Sequence, residues 1–166
     1  TITVNGVAKA FAMTGWRIGY IGAPEFIAKA CTKMQGQVTS GANSIAQRAT
    51  KAAVEANPSQ IKYMVDAFHK RRDLVFGLMQ EIPGFKLNNP DGAFYVFPDV
   101  SDYFGKTLRG TEIKDATDFA MYLLAEANVA TVTGDAFGSP NCLRLSYATS
   151  EEQLIEAIKR IKDAVS

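Results

Sequence analysis

Two cations without an acidic neighbour lie near the start of the chain. Lys9 and Arg17 are the only charged residues between Thr1 and Pro24, and small or apolar residues surround both. Glycines and the Thr14 hydroxyl lie beside them, and such a composition suits a phosphate group. A lysine that loses its proton among apolar neighbours is the nucleophile that Schiff-base chemistry requires. The alternative is that both are ordinary surface cations with aliphatic stems on the protein surface.

Another candidate binding residue is the arginine in the middle of the short apolar segment 142–147. Strand alternation would place Arg144 on one face and Leu143 and Leu145 on the other. An arginine in a half-buried strand needs an anionic partner or an exit to water, and its planar fork suits a carboxylate. That carboxylate could belong to a ligand or to an acidic side chain in a structural ion pair, and the pattern leaves both open.

The remaining reactive side chains carry weaker signals. The only histidine, His69, stands beside three cations and has no second His or Cys at a metal-ligand spacing. We interpret this run as the solvated face of a helix with one cation paired internally. Cys31 and Cys142 are far apart, which favours two free thiols in a reducing cytosol. The sequence contains no Walker loop, nucleophile elbow or dinucleotide-binding glycine motif.

Strands and helices alternate along the chain in a way that could position these residues. The longest periodic segment, 60–82, predicts a long helix that Pro83 and Gly84 end. The other predicted elements are strands at 1–4, 16–22, 85–87, 93–97, 129–132 and 142–147, and helices after Pro24, at 45–56, at 117–128 and after a capping box at Ser150. Asn5 and Gly6 predict a turn, and residues 88–92 predict the turn of a hairpin between the strands at 85–87 and 93–97.

Composition excludes several classes of protein. The 166 residues can bury a real core, and 47% of them are hydrophobic, which excludes wholesale disorder. The chain has 18 Lys and Arg against 17 Asp and Glu, so a dedicated nucleic-acid binder is not expected. No run of about 18 apolar residues predicts a membrane helix, and the opening residues lack the basic and apolar segments of a secretory signal, so none is expected.

The segment from Asn5 to Tyr20 resembles the cofactor-lysine signature of the class I/II aminotransferases. These are fold-type-I pyridoxal-phosphate enzymes, and the resemblance is strongest to their aspartate aminotransferase branch. The ending Thr-Gly-Trp-Arg-Ile-Gly-Tyr is highly specific. Residues 90–95 resemble the start of the family's small-domain sheet, and residues 144–148 resemble the strand whose arginine holds the substrate carboxylate. The similarity runs in order along the whole chain.

The resemblance implies an α/β fold in three parts. Residues 1–58 would be the C-terminal part of the cofactor-binding large domain. Residues 59–83 would form a long interdomain helix. Residues 84–166 would form the C-terminal small domain, an α+β unit with a mixed or antiparallel sheet and helices.

The resemblance also implies roles for three residues. Lys9 would form the Schiff base with pyridoxal 5'-phosphate and, once substrate displaces it, carry the proton between the substrate Cα and the cofactor. Arg17 would hold the cofactor phosphate, and Arg144 would hold the α-carboxylate of the substrate. The implied reaction is transamination of an amino acid with a 2-oxo acid, aspartate and 2-oxoglutarate being the first candidates. A cytoplasmic homodimer is expected, with no metal, nucleic-acid or membrane partner.

Two features depart from the family pattern. Ala8 stands where many relatives have a serine that contacts the phosphate. Relatives also carry, upstream of the lysine, an aspartate on the pyridine nitrogen, an asparagine and a tyrosine on the ring oxygen, and an aromatic residue stacked on the ring. This sequence does not contain them, so we expect a C-terminal portion that is inactive by itself. Two other functions stay open: another fold-type-I reaction, such as that of a β-lyase or a synthase, and the aminotransferase-like effector domain of a transcription regulator.

Overall fold

The chain divides into two compact units. The computed structural model describes residues 1–166, and the units are Thr1–Tyr63 and Met64–Ser166. The three-part division expected from the sequence, 1–58, 59–83 and 84–166, stays a prediction.

The first unit opens with an antiparallel strand pair. Strand β1, Thr3–Gly6, pairs with β2, Gly19–Gly22, so that Gly6 lies opposite Gly19. A Cβ atom on Gly6 would lie 3.3 Å from the carbonyl oxygen of Ile18, tighter than an ordinary van der Waals contact. The prediction that Asn5 and Gly6 form a turn is wrong, because the pairing continues through them.

The second predicted strand begins later than expected. Residues Thr14–Trp16 form a 3-10 turn instead of the start of a strand. Arg17 then takes a left-handed backbone conformation with φ of 53°, which no strand residue adopts. The sequence Trp-Arg-Ile-Gly-Tyr is therefore extended only from Gly19 onward.

Two helices complete the first unit. Helix α1 covers Glu25–Val38, and helix α2 covers Ser44–Glu55. The side chain of Asn43 caps α2 by accepting a hydrogen bond of 3.0 Å from the amide of Ala46. Asn57 and Pro58 follow α2 and begin a 3-10 turn that covers Pro58–Ile61.

Helix α3 covers Lys62–Met79 and is the longest helix of the chain. The helix predicted at 60–82 is confirmed, but it begins and ends two to three residues inside those limits. Tight turns follow it, with the amide of Ile82 donating to the carbonyl of Met79. Gly84, with φ of 86°, then reverses the chain in a conformation that favours glycine.

A three-stranded antiparallel sheet lies in the second unit. Its strands are β3 (Tyr95–Val96), β6 (Val132–Thr133) and β7 (Leu143–Ser146), and β7 is central. The local hairpin predicted between 85–87 and 93–97 is wrong. Residues 95–96 pair with β7 instead, and Lys86 forms only a single bridge with Asp99. The distant partner prevails because β7 brings the apolar Leu143 and Leu145 with it.

The other elements of this unit are a hairpin and two helices. The hairpin joins β4, Lys106–Leu108, to β5, Thr111–Ile113, and the sequence analysis missed it. Helix α4 covers Ala116–Ala127 and α5 covers Glu151–Val165, close to their predicted limits. The predicted capping box is half formed, since Ser150 accepts a hydrogen bond from the amide of Gln153 while the Gln153 side chain contacts Thr149.

One hydrophobic core fills the second unit. It draws on α3, α4, α5 and the three-stranded sheet. Its buried residues are Val75, Met79, Ile82, Val96, Val100, Tyr103, Ile113, Ala116, Phe119, Tyr122, Leu123, Ala127, Val129, Leu143, Tyr147, Leu154, Ile158, Ile161 and Ala164.

Candidate active site

Lys9 lies in the connection between β1 and β2. Four backbone hydrogen bonds fold this connection into consecutive turns, including one of 3.1 Å from the amide of Met13 to the carbonyl of Ala8. Val7, which is fully buried, anchors the start of the connection. Lys9 itself is exposed in this structure.

Arg17 ends the same connection, directly after the 3-10 turn. Its left-handed backbone turns the side chain back, and Nη1 donates a hydrogen bond of 3.0 Å to the carbonyl oxygen of Thr14. The Thr14 backbone carbonyl therefore orients the guanidinium. Arg17 lies on the wall of an open cleft of about 1450 Å³, together with Gly15, Trp16 and Asn43.

The first unit carries an excess of positive charge. Seven Lys and Arg stand against two Glu in residues 1–63. Glu25 pairs with Lys29 at 2.6 Å, and Glu55 pairs with Lys51. Both carboxylates of the unit are thus engaged, and no acidic side chain of the chain forms an ion pair with Arg17. The remaining donors of this guanidinium fit a doubly charged phosphate, the group that a resident pyridoxal phosphate would present.

Arg144 lies on β7 in the second unit. The predicted alternation is confirmed, because Leu143 and Tyr147 are buried on the opposite face. Its guanidinium carbon lies 4.5 Å from the ring centroid of Tyr95 and 4.4 Å from that of Phe137. No carboxylate of the chain forms an ion pair with Arg144, so the structural ion pair considered for it is absent.

A tight loop carries Phe137. Residues Gly134–Phe137 form a 3-10 turn, and the amide of Gly134 donates a hydrogen bond of 2.7 Å to the carbonyl of Cys142. A Cβ atom at position 134 would lie 2.1 Å from the carbonyl oxygen of Ser139, which leaves room for glycine only. The sequence did not predict the contribution of Gly134, Phe137 and Tyr95 to the surroundings of Arg144. An aromatic residue between two glycines, Gly134 and Gly138, was the available sign of a special loop.

The other candidate residues lie outside any such cluster. His69 is exposed on α3, and nearby cations are paired: Lys70 with Glu151 at 2.8 Å and Arg72 with Asp73 at 2.7 Å. No group of three or more His, Cys, Asp or Glu residues is arranged to hold a metal ion. None of the helices has both the length and the apolar character needed to cross a membrane.

Both cysteines are free thiols. Cys31 is exposed, whereas Cys142 is partly buried. Burial, assisted by the negative charge of Asp99, raises the pKa of the Cys142 thiol above its ordinary value. A thiol with a raised pKa is a poor nucleophile at neutral pH, so Cys142 is a structural residue here.

The arrangement of strands and helices confirms the expected α/β fold class with antiparallel sheets. The crystal structure of the aspartate aminotransferase from Rhizobium meliloti matches this chain with a TM-score of 0.95 and 46% sequence identity, covering 99% of this chain and 42% of that one. The sequence model of the family described as aminotransferase class I and II matches residues 1–161. The chain belongs to this family.

Two curated relatives show the same similarity. The aspartate aminotransferase of Rhizobium meliloti strain 1021 is 48% identical, over 99% of this chain and 40% of that protein. A Petunia hybrida protein described as bifunctional aspartate aminotransferase and glutamate/aspartate-prephenate aminotransferase is 47% identical, over 99% of this chain and 35% of that protein. The chain therefore spans between a third and a half of the length of these relatives.

Proposed function

We propose that this chain is the C-terminal portion of a pyridoxal-phosphate-dependent aminotransferase that transfers the amino group of an amino acid, with aspartate the first candidate, to 2-oxoglutarate. The observation that carries the proposal is the surroundings of the Arg144 guanidinium, in a chain that belongs to this family. Two ring centroids lie within 4.5 Å of its guanidinium carbon, and no acidic side chain forms an ion pair with it. An amino acid and a 2-oxo acid both bring the carboxylate that such a group binds.

Lys9 would act as nucleophile and then as acid and base. Lys9 lies exposed on the β1–β2 connection. Pyridoxal phosphate, when bound, supplies the electron sink for the charge that develops when the substrate Cα loses its proton. The Lys9 amine would take that proton and return it, which is general acid–base chemistry by one group.

Arg17 would bind and orient. Its guanidinium is fixed by the Thr14 carbonyl and lies at the cleft in a unit rich in positive charge, so it suits the phosphate end of the cofactor. Arg144 would hold the substrate carboxylate and thereby fix the direction of the Cα–H bond. Dimerisation, cytoplasmic localisation and the choice between aspartate and other amino donors stay predictions.

The test of the lysine uses the full-length protein that contains this chain. Lys9→Ala should lower transamination of aspartate and 2-oxoglutarate by at least about 100-fold, because a positioned acid–base group contributes that much or more. Borohydride reduction followed by mass spectrometry should trap the cofactor on Lys9 in the wild type. Lys33→Ala, which removes another exposed lysine of the same unit, is the matched control. Cofactor trapped on the chain in Lys9→Ala would contradict the assignment.

A second test separates substrate binding from cofactor binding. Arg144→Ala should raise KM for both substrates and leave the absorbance of the bound cofactor nearly unchanged. The isolated 166-residue chain, given pyridoxal phosphate and both substrates, should not transaminate at enzymatic rates, since relatives hold the cofactor ring with residues upstream of the region represented here. Rates comparable to those of the full-length protein would refute this expectation. A β-elimination product in place of transamination would favour the lyase alternative.

A further inference from the structure

We propose that Phe137 and Tyr95 are positioning residues that hold the guanidinium of Arg144 for a planar carboxylate ligand. The proposal deepens the proposed function and rests on it for the identity of the substrate. The two rings come from separate elements, since Tyr95 lies on β3 and Phe137 lies in the loop before β7. Both contact the same guanidinium carbon at nearly equal distances, 4.5 Å and 4.4 Å.

Ring contacts at these distances determine how the guanidinium can be approached. Aromatic faces attract a cation through their negative quadrupole, and they displace water from the surface that they cover. The N–H donors of an arginine all lie in the plane of the guanidinium, so rings on the planar surface leave the in-plane edge for an anion. A carboxylate is planar and can accept two parallel hydrogen bonds along that edge.

Phe137 has no large role in the core. Its side chain is 47% exposed, and its other ring contact is an edge-on one with Phe97 at 6.1 Å. Only about half of the side chain is buried, so hydrophobic stabilisation accounts for its place only in part. The contact with Arg144 gives a second reason for a ring at this position.

Backbone hydrogen bonds connect the loop that carries Phe137 to the residues that follow it. Gly134 both donates to Cys142 and accepts a hydrogen bond of 3.0 Å from the amide of Ser139. Gly138 then takes φ of 74° and closes the turn with a bond to the carbonyl of Asp135. Because Cys142 lies two residues before Arg144, these hydrogen bonds tie the loop to the start of the strand that carries the arginine.

The proposal is tested with Phe137→Leu and Phe137→Tyr in the full-length protein. Leucine keeps an apolar side chain and removes the ring, whereas tyrosine keeps the ring. We expect Phe137→Leu to weaken binding of succinate, measured by titration calorimetry, and to raise KM for both substrates by about three- to fivefold, as for an exposed cation–π contact. Phe137→Tyr should stay within about twofold of the wild type. Because a purely structural role would respond to side-chain volume, rescue by the ring is the distinguishing readout.

The control variant is Leu124→Ala, which changes a side chain that is also 47% exposed in the same unit but belongs to α4. It should leave succinate binding and KM unchanged. Arg144→Ala should abolish succinate binding. The proposal is overturned if Phe137→Leu binds succinate as the wild type does, if leucine and tyrosine lower the affinity equally, or if succinate fails to bind through Arg144.

These outcomes can be separated from those of the proposed function. A wild-type protein that binds succinate in the expected pattern but does not transaminate would contradict the proposed function and leave the positioning role intact. A protein that transaminates normally while Phe137→Leu changes neither KM nor succinate affinity would contradict the positioning role and leave the proposed function intact.

Discussion

Opposite charges and unequal burial distinguish the two compact units. Residues 1–63 contain seven Lys and Arg against two acidic residues, whereas residues 64–166 contain eleven against fifteen. The first unit buries only two hydrophobic residues, Val7 and Ala46, while the second contains the whole core. One unit therefore presents cationic groups on a scaffold with little core of its own, and the other holds its arginine on a well-packed framework.

The difference in burial has a direct thermodynamic meaning. Burial of apolar surface is the main favourable contribution to folding, and it must exceed the conformational entropy of every ordered residue. Phe26, for example, is 75% exposed on α1, whereas Phe119 is fully buried on α4 between Tyr103 and Tyr122. We therefore expect local stability to be concentrated in residues 64–166.

Amide hydrogen exchange on the 166-residue chain should show the largest effect. Amides of α4 should exchange at least about 1,000-fold more slowly than those of α1, because core amides are protected up to the global free energy of unfolding while poorly packed helices open locally. The measurement is exchange followed by mass spectrometry of peptides from each helix. Equal protection of α1 and α4 would show that the difference in burial does not govern stability.

The same comparison can be made with single phenylalanines. Phe119→Ala should lower the free energy of unfolding by about 3–5 kcal/mol, the usual effect of deleting a large buried ring. Phe26→Ala should change it by less than about 0.5 kcal/mol, because its side chain is exposed. Urea denaturation followed by circular dichroism measures both. A loss for Phe26→Ala as large as that for Phe119→Ala would mean that α1 belongs to the same cooperative core.

The sequence predicted the features that depend on neighbouring residues better than those that depend on residues far away in the chain. Helix α5 and the alternation around Arg144 followed from residue spacing, because both depend on neighbours in the chain. The left-handed backbone at Arg17 ends a 3-10 turn that the apolar spacing did not reveal. The pairing of Tyr95 with β7 instead of residues 85–87 depends on contacts about fifty residues away. The ring pair on Arg144 was missed for the same reason, since its members come from separate elements.

The loop before β7 offers a third test, with glycine variants. Gly134→Ala should destabilise the protein by about 3 kcal/mol or more, because its Cβ would lie 2.1 Å from one backbone oxygen and 2.7 Å from another. Gly77→Ala is the matched control on α3, where nothing lies within 4 Å of the added atom. Alanine should there stabilise the helix by about 0.5–1 kcal/mol. Thermal denaturation distinguishes the two, and equal effects would contradict the steric explanation.

Alkaline pH should produce the smallest effect, and again in the second unit. Burial, with a contribution from the negative charge of Asp102, raises the pKa of Tyr103 to about 12 from its ordinary value of 10. Its hydroxyl donates a hydrogen bond to the carbonyl of Pro83, which only the neutral form can do. A raised folded-state pKa contributes stability that is complete below pH 10 and is lost as the pH rises towards 12.

Tyr103→Phe should therefore reduce this alkaline loss while lowering stability at neutral pH by about 1 kcal/mol, the net effect of one hydrogen bond. The measurement is the urea midpoint of wild type and variant at about pH 9 and about pH 11. Burial also raises the pKa values of Tyr122 and Tyr147, so part of the dependence should remain in the variant. Tyr63→Phe, which alters a side chain 71% exposed in the first unit, should not change the alkaline loss. A phenol that stays neutral in the folded core ionises at lower pH once unfolding exposes it, and this difference is what makes stability depend on pH. An unchanged pH dependence in Tyr103→Phe would therefore mean that the ionisation of Tyr103 is not coupled to folding.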